Sequence, residues 1–225
     1  MKKSVGGKIL KFLAELLLIL LLTIIAALVF LKIRSNSILD DISSVFEDEK
    51  YAAPVYVDGV EVIEQNVSCG YAVIEMFSSW AGKNITEQSL YDEYGKVVTS
   101  TGSKFCMEMN KKFPEYKTGM HKYLKNSELI DVVYQNLKEG IPVPFEWAAL
   151  YGDEWTLHYS LLVGMDIPAD KVTVANPYGY YEDISVEEFL RRTSFESYEG
   201  MPWFLRLGFA FGVFEKNTVF TVSRL

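Results

Sequence analysis

Thiols and imidazoles are scarce in this chain. Its 225 residues hold two cysteines, Cys69 and Cys106, and two histidines, His121 and His158. Two cysteines do not make a disulfide scaffold. No CxxC, HExxH or His/Cys cluster occurs, and two histidines are too few for most zinc patterns. No GxGxxG or Walker-type loop occurs either, so neither a metal nor a bound cofactor is expected. Positive charge is also short, with 22 Lys and Arg against 30 Asp and Glu and a net charge of −8. Six of the basic side chains fall in the first 34 residues beside one acid, Glu15, which leaves the rest at −13. Such a surface excludes nucleic acid as a partner, because binding there depends on releasing phosphate counterions to Lys and Arg. It permits a cationic or a neutral peptide as substrate.

What is abundant is apolar. Residues 12–31, FLAELLLILLLTIIAALVFL, are interrupted only by Glu15 and Thr23. At 1.5 Å per residue, roughly 20 residues of helix cross a hydrocarbon core. Lys2, Lys3, Lys8 and Lys11 precede the run, and Lys32 and Arg34 follow it. The larger basic cluster stays in the cytoplasm under the positive-inside rule, which puts the C-terminal part outside the cell. A cleaved signal peptide is the competing reading, with Ser35-Asn36-Ser37 as its small-residue site, late and poor in Ala. The expected organisation is a cytoplasmic basic N-terminus at 1–11, a transmembrane signal anchor at 12–32, a polar spacer at 33–54 and one domain at 55–225.

Within that domain helices come first. A helix begins at Cys69, with Ala72, Val73, Met76, Phe77 and Trp80 on one face and Gly82 as its stop. Thr86 caps a second helix running to about Tyr94, a third covers Ser103 to Lys112, and Ser127 caps a fourth that stops before Gly140. Strands dominate later: Val143 to Ala149, His158 to Met165 and Lys171 to Asn176. Ser185 to Glu188 forms a capping box for a short helix, and Phe209 to Phe214 with Thr218 to Val222 reads as a closing hairpin. Helices followed by strands indicate an α+β domain.

The chemistry gathers at three places. Gln65-Asn66-Val67-Ser68-Cys69-Gly70 sets a thiol where a loop meets a helix, and the helix dipole there is expected to lower the thiol pKa. His158 opens a strand from which an imidazole can project rigidly as base and acid. Asn176 ends the next strand ahead of Pro177, and antiparallel pairing of the two strands brings Asn176 to His158 as its orienting acceptor. Cys106, inside Phe105-Cys106-Met107, reads as core, although a Cys69–Cys106 disulfide would abolish this chemistry. Trp147, Trp155, Tyr178 and Tyr180 are candidates to line a groove.

The order of these motifs, glutamine and Cys-Gly opening a helix, histidine on a strand, then Asn-Pro closing the following strand, resembles the C39-like peptidases of the papain-like superfamily. The resemblance spans about Val62 to Arg192. It implies a papain-like fold, in which a helical part carrying the nucleophile packs on an antiparallel sheet. It also implies peptide-bond hydrolysis by Cys69, His158 and Asn176, with Gln65 in the oxyanion hole. Gln65 stands closer to the cysteine than that family usually has it, which leaves the Cys69 backbone N–H as the surer oxyanion donor. The leader-processing members are usually fused to an ABC transporter, and this chain has neither ATPase motifs nor several spans. The expected function is therefore a membrane-anchored cysteine peptidase. The alternatives are a catalytically silent C39-like domain that binds peptides or proteins, and a related acyl-transfer or isopeptidase enzyme.

Overall fold

The computed structural model describes residues 5–96, 101–195 and 200–225; Lys2 and Lys3 lie outside them. Helix α1, Val5–Asn36, is long and apolar enough to cross a membrane, and its large apolar side chains from Ile9 to Phe30 are exposed. The helix continues past the expected anchor, and the residues after it are no loose spacer. Ile38, Val45 and Tyr51 are buried, the last two through α2 (Ser43–Glu47) and a single 3-10 turn at Glu49–Tyr51. Composition alone cannot distinguish a polar linker from a polar strap that buries every few residues one apolar side chain.

The remainder is α+β. Helices α3 (Cys69–Trp80), α4 (Glu87–Tyr94), α5 (Gly102–Lys112) and α6 (Asn126–Lys138) precede most of the sheet. Strands β1 (Val55–Tyr56), β2 (Tyr116–His121), β3 (Val143–Tyr151), β4 (Glu154–Asp166), β5 (Lys171–Asn176), β6 (Tyr180–Ile184) and β7 (Thr218–Arg224) form one sheet. The order is β2-β7-β3-β4-β5-β6, with β1 added to the far end of β4, and every pairing is antiparallel. Two more helices, α7 (Val186–Thr193) and α8 (Trp203–Ala210), complete the chain.

Helix α3 runs through the interior. Residues Gly70 to Ile74 and Met76 to Ser78 are all buried, so the helix is covered on most of its circumference. Burying side chains such as Val73, Ile74, Met76 and Phe77 stabilises by about 1.5–3 kcal/mol each. That covering fixes the position of the residue at its first turn, Cys69. β4 is buried from Tyr159 to Met165 between its neighbours, and α6 and α7 cover the sheet through Leu129, Val133, Val186 and Phe189.

Three local expectations need correction. Phe209 belongs to helix α8 and not to a hairpin; the turn residues that follow, Gly212 with φ +66° among them, lead into β7, which pairs with β2 and β3 instead. An apolar run of this length has no periodicity that separates strand from helix. Ser127 lies inside α6, whose N-cap is Lys125; its hydroxyl donates to the Asp40 carboxylate from the strap. Ser185 does cap α7 by accepting the Glu188 N–H at 3.1 Å, but the Glu188 carboxylate turns to Arg191 and Arg192 and closes no reciprocal bond.

Candidate active site

Ser68 is extended, with φ −159° and ψ 146°, and its hydroxyl accepts the Tyr71 N–H at 3.3 Å. This cap starts α3 with Cys69 at its first position. The first N–H groups of a helix have no intrahelical acceptor, and those of Cys69 and Gly70 are directed at the Cys69 sulfur. A third donor, the Tyr159 N–H, reaches the same sulfur from β4. The β4–β5 ladder stops at Leu161 and Ala175, short of Tyr159, and the Pro177 carbonyl beyond it accepts the Gln65 N–H instead.

One residue earlier stands His158, almost wholly buried. Its Nε2 is 3.0 Å from Asn176 Oδ1. Two further contacts fix which way the Asn176 amide points. Its Oδ1 also accepts the Tyr178 N–H at 3.0 Å, and its Nδ2 donates to Glu182 Oε2 at 3.0 Å. A backbone N–H only donates and a carboxylate only accepts, so the oxygen must face the ring. His158 Nε2 therefore carries the proton, and Nδ1 is the basic nitrogen. Glu182 is itself held by Arg192 Nη1 at 2.7 Å. The Tyr178 ring stacks on the imidazole at 4.2 Å between centroids and shields the hydrogen bond beneath it.

Burial governs the electrostatics. It raises the Cys69 thiol above its usual range, outweighing the three N–H donors that act in the opposite direction. Burial also lowers His158 to about 4, with the Asn176 bond opposing. The helix dipole was expected to leave Cys69 depressed; a dipole of about half a charge does not offset desolvation here. Burial thus favours the uncharged form of both groups.

Gln65 is tied by its backbone N–H to the Pro177 carbonyl at 2.7 Å, beside the end of β5, and its Oε1 is buried without a hydrogen-bond partner among the described residues. Cys69 and Cys106 are both free, so they are not cross-linked. Of the groove candidates, Trp147 is core, its Nε1 donating to Ser160 Oγ at 3.0 Å and the Arg192 guanidinium lying over its ring. Tyr178 covers His158, Trp155 packs against the small cluster around Phe209, and Tyr180 is exposed. His121 is exposed and meets Thr221.

One residue that carries no motif holds the site together. Glu87, buried at the start of α4, accepts the backbone N–H groups of Asn66, Val67 and Ser68 at 2.7, 2.8 and 2.7 Å. It binds the whole loop that presents Cys69. The only sequence signal is an acid at a helix start, which is common on any surface helix.

The site thus consists of a thiol at the first position of α3, met by the N–H of Tyr159, and of the preceding residue His158, whose tautomer is set by the Asn176 amide. A family model, that of the Peptidase_C39-like family, matches residues 57–201. The chain belongs to that family. Two solved structures are similar at low identity. A double glycine motif protease from an AMS/PCAT transporter, in complex with the leader peptide, is 16% identical over 76% of this chain and 98% of its own, with a TM-score of 0.47. The peptidase domain of Streptococcus ComA, a bi-functional ABC transporter involved in a quorum sensing pathway, is 15% identical over 74% and 100%, also at 0.47. No curated protein matches the sequence.

Proposed function

We propose that this chain is a membrane-anchored cysteine peptidase that hydrolyses peptide bonds through Cys69, His158 and Asn176. The observation that carries the reading is the 3.0 Å contact from His158 Nε2 to an Asn176 amide of fixed orientation. It leaves Nδ1 free to take the Cys69 proton. The sulfur then attacks the scissile carbonyl carbon, and the oxygen takes up the negative charge. The Cys69 N–H, released from the sulfur as the carbon–sulfur bond forms, and the Gln65 side chain donate to that oxyanion. The imidazolium returns its proton to the departing amine, and a thioester remains on Cys69. Water, deprotonated by the same Nδ1, attacks the thioester and releases the acid.

Three features support an uncleaved anchor with the domain outside. The N-terminal basic cluster favours that orientation. Ser35, within the alternative cleavage site, is helical and buried, and its hydroxyl donates to the Phe209 carbonyl at 2.9 Å. Helix α8, which contains Phe209, carries apolar side chains both inward and outward, with Arg206 exposed among the outward ones. Phe209 points into the protein while Trp203, Phe204 and Leu207 are exposed. Exposed aromatic side chains with a basic residue among them, beside an apolar span, suit the lipid interface.

The inward Gln65 Oε1 favours a second reading, a silent domain that binds peptides. A fluorogenic peptide library on the detergent-solubilised chain separates the two. The peptidase reading expects hydrolysis that Cys69→Ala abolishes. Absence of hydrolysis, or hydrolysis that survives Cys69→Ala, contradicts it.

A further inference from the structure

A cavity of ≈ 430 Å³ opens beside the candidate site, between the start of α5, the middle of the sheet and the turn after α8. Its polar wall is Glu146, Tyr159 and Glu215, and Leu157, Phe209 and Phe214 supply the apolar part. Glu146 is unusual. It sits on a central strand, is only 5% exposed, and lines the cavity with its carboxylate. The Tyr159 phenol is its hydrogen-bonding neighbour. Glu215 already has a cation, Lys122. Among the described residues no Lys or Arg forms an ion pair with Glu146. A buried carboxylate without a counter-charge is costly unless something completes it.

The space above it is kept open by Gly102. A Cβ at that position would come within 3.0 Å of Glu146 Oε1 and 2.5 Å of Met120 Cε. The cavity also communicates with the candidate nucleophile. Glu146 pairs across the strands with Tyr159, whose own N–H meets the Cys69 sulfur, and the Glu146 charge is felt at Cys69. An acid at the bottom, an apolar wall for a methylene stem and a second acid at the rim match a long cationic side chain. We infer that this cavity is a substrate subsite for a lysine or arginine side chain, with Glu146 as its counter-ion. The inference rests on the peptidase reading for the word substrate, and on the cavity alone for the cation.

The test walks lysine, norleucine and glutamate through successive positions of a fluorogenic peptide, with the full chain in detergent. Wild type is expected to cleave the lysine peptide at least tenfold better in kcat/KM than the norleucine peptide at one position. Glu146→Gln is expected to abolish the preference, bringing the ratio of lysine to norleucine kcat/KM to about one whatever its effect on the absolute rates. Equal rates for lysine and norleucine at every position, or a lysine preference that survives Glu146→Gln, overturn the inference and leave the peptidase reading intact. Binding of the same labelled peptides to Cys69→Ala, followed by fluorescence anisotropy, covers the remaining case. Absence of cleavage, together with a lysine-dependent affinity that Glu146→Gln removes, ends the peptidase reading but supports the subsite. Affinity indifferent to lysine and to Glu146→Gln overturns the subsite.

Discussion

Asn176 Oδ1 lies 3.0 Å from His158 Nε2, and Asn176 Nδ2 lies 3.0 Å from the Glu182 carboxylate. The amide is thus an adaptor, oxygen toward the imidazole and nitrogen toward an acid, and neither end can be exchanged freely. Asn176→Ala should lower kcat by at least about a hundredfold, because the imidazole loses the acceptor that fixes its tautomer. Asn176→Asp keeps an acceptor for Nε2–H but sets one carboxylate against another in a buried place. It should therefore be no better than the alanine variant, and Asn176→Asp with Glu182→Gln should recover activity. Steady-state kinetics on the four proteins checks this; a fully active Asn176→Asp single variant would show that Glu182 does not constrain the amide.

Glu87 collects three backbone N–H groups of the loop ahead of Cys69. Bonds to a charged acceptor contribute about 1.5–3 kcal/mol each, and buried N–H groups left unpaired cost more than a mean value suggests. Glu87→Ala should lower the melting temperature and kcat together. Glu87→Gln, which keeps one carbonyl acceptor, should fall between it and wild type. Unchanged kcat with a lowered melting temperature would restrict Glu87 to stability.

Two buried groups give stability opposite dependences on pH. His158 is lowered from about 6.5 to about 4, so its unfolded form binds the proton first. Its contribution is complete above pH 6.5 and disappears as pH falls toward 4. Glu146 is raised from 4.5 to about 7, chiefly by burial, with Glu215 adding and Tyr159 and Lys122 opposing. Its contribution is complete below pH 4.5 and is lost as pH rises through 7. Each shift corresponds to about 3 kcal/mol. Glu146→Gln should therefore melt above wild type at pH 8 and lose that advantage at pH 5, as followed by circular dichroism. The reverse order would place an unseen cation beside Glu146.

Trp203, Phe204 and Leu207 are exposed on α8 beside the end of α1. Quenching of Trp203 fluorescence by lipids brominated in the acyl chain should be strong in reconstituted vesicles. It should be lost when Trp203 is replaced and the other tryptophans remain. No difference between the two proteins would place α8 in water.

Much of this arrangement is legible in the residues. α3 announces itself by an apolar face and Gly82 as stop, and it begins at Cys69 as read. The β4–β5 pairing, inferred from two β-rich runs around a turn, brings His158 and Asn176 together. The strap at 37–54 and helix α8 were not legible, because each is decided by long-range burial and not by local pattern. Glu87, Glu182 and Glu146 escaped for a related reason. An acid is read as surface until the fold buries it, and only then does its partner, or the lack of one, acquire meaning. The thiol pKa was misjudged because the dipole is visible in a sequence and desolvation is not.

The central claim is that Cys69 attacks the peptide carbonyl. The most direct measurement is intact-protein mass spectrometry after acid quench of the chain mixed with a cleavable peptide thioester or ester substrate, followed by peptide mapping. The predicted result is an added acyl mass on Cys69 and not on Cys106, which disappears in His158→Ala. Cleavage without an acyl adduct on Cys69, together with full activity of Cys69→Ala, would contradict the account.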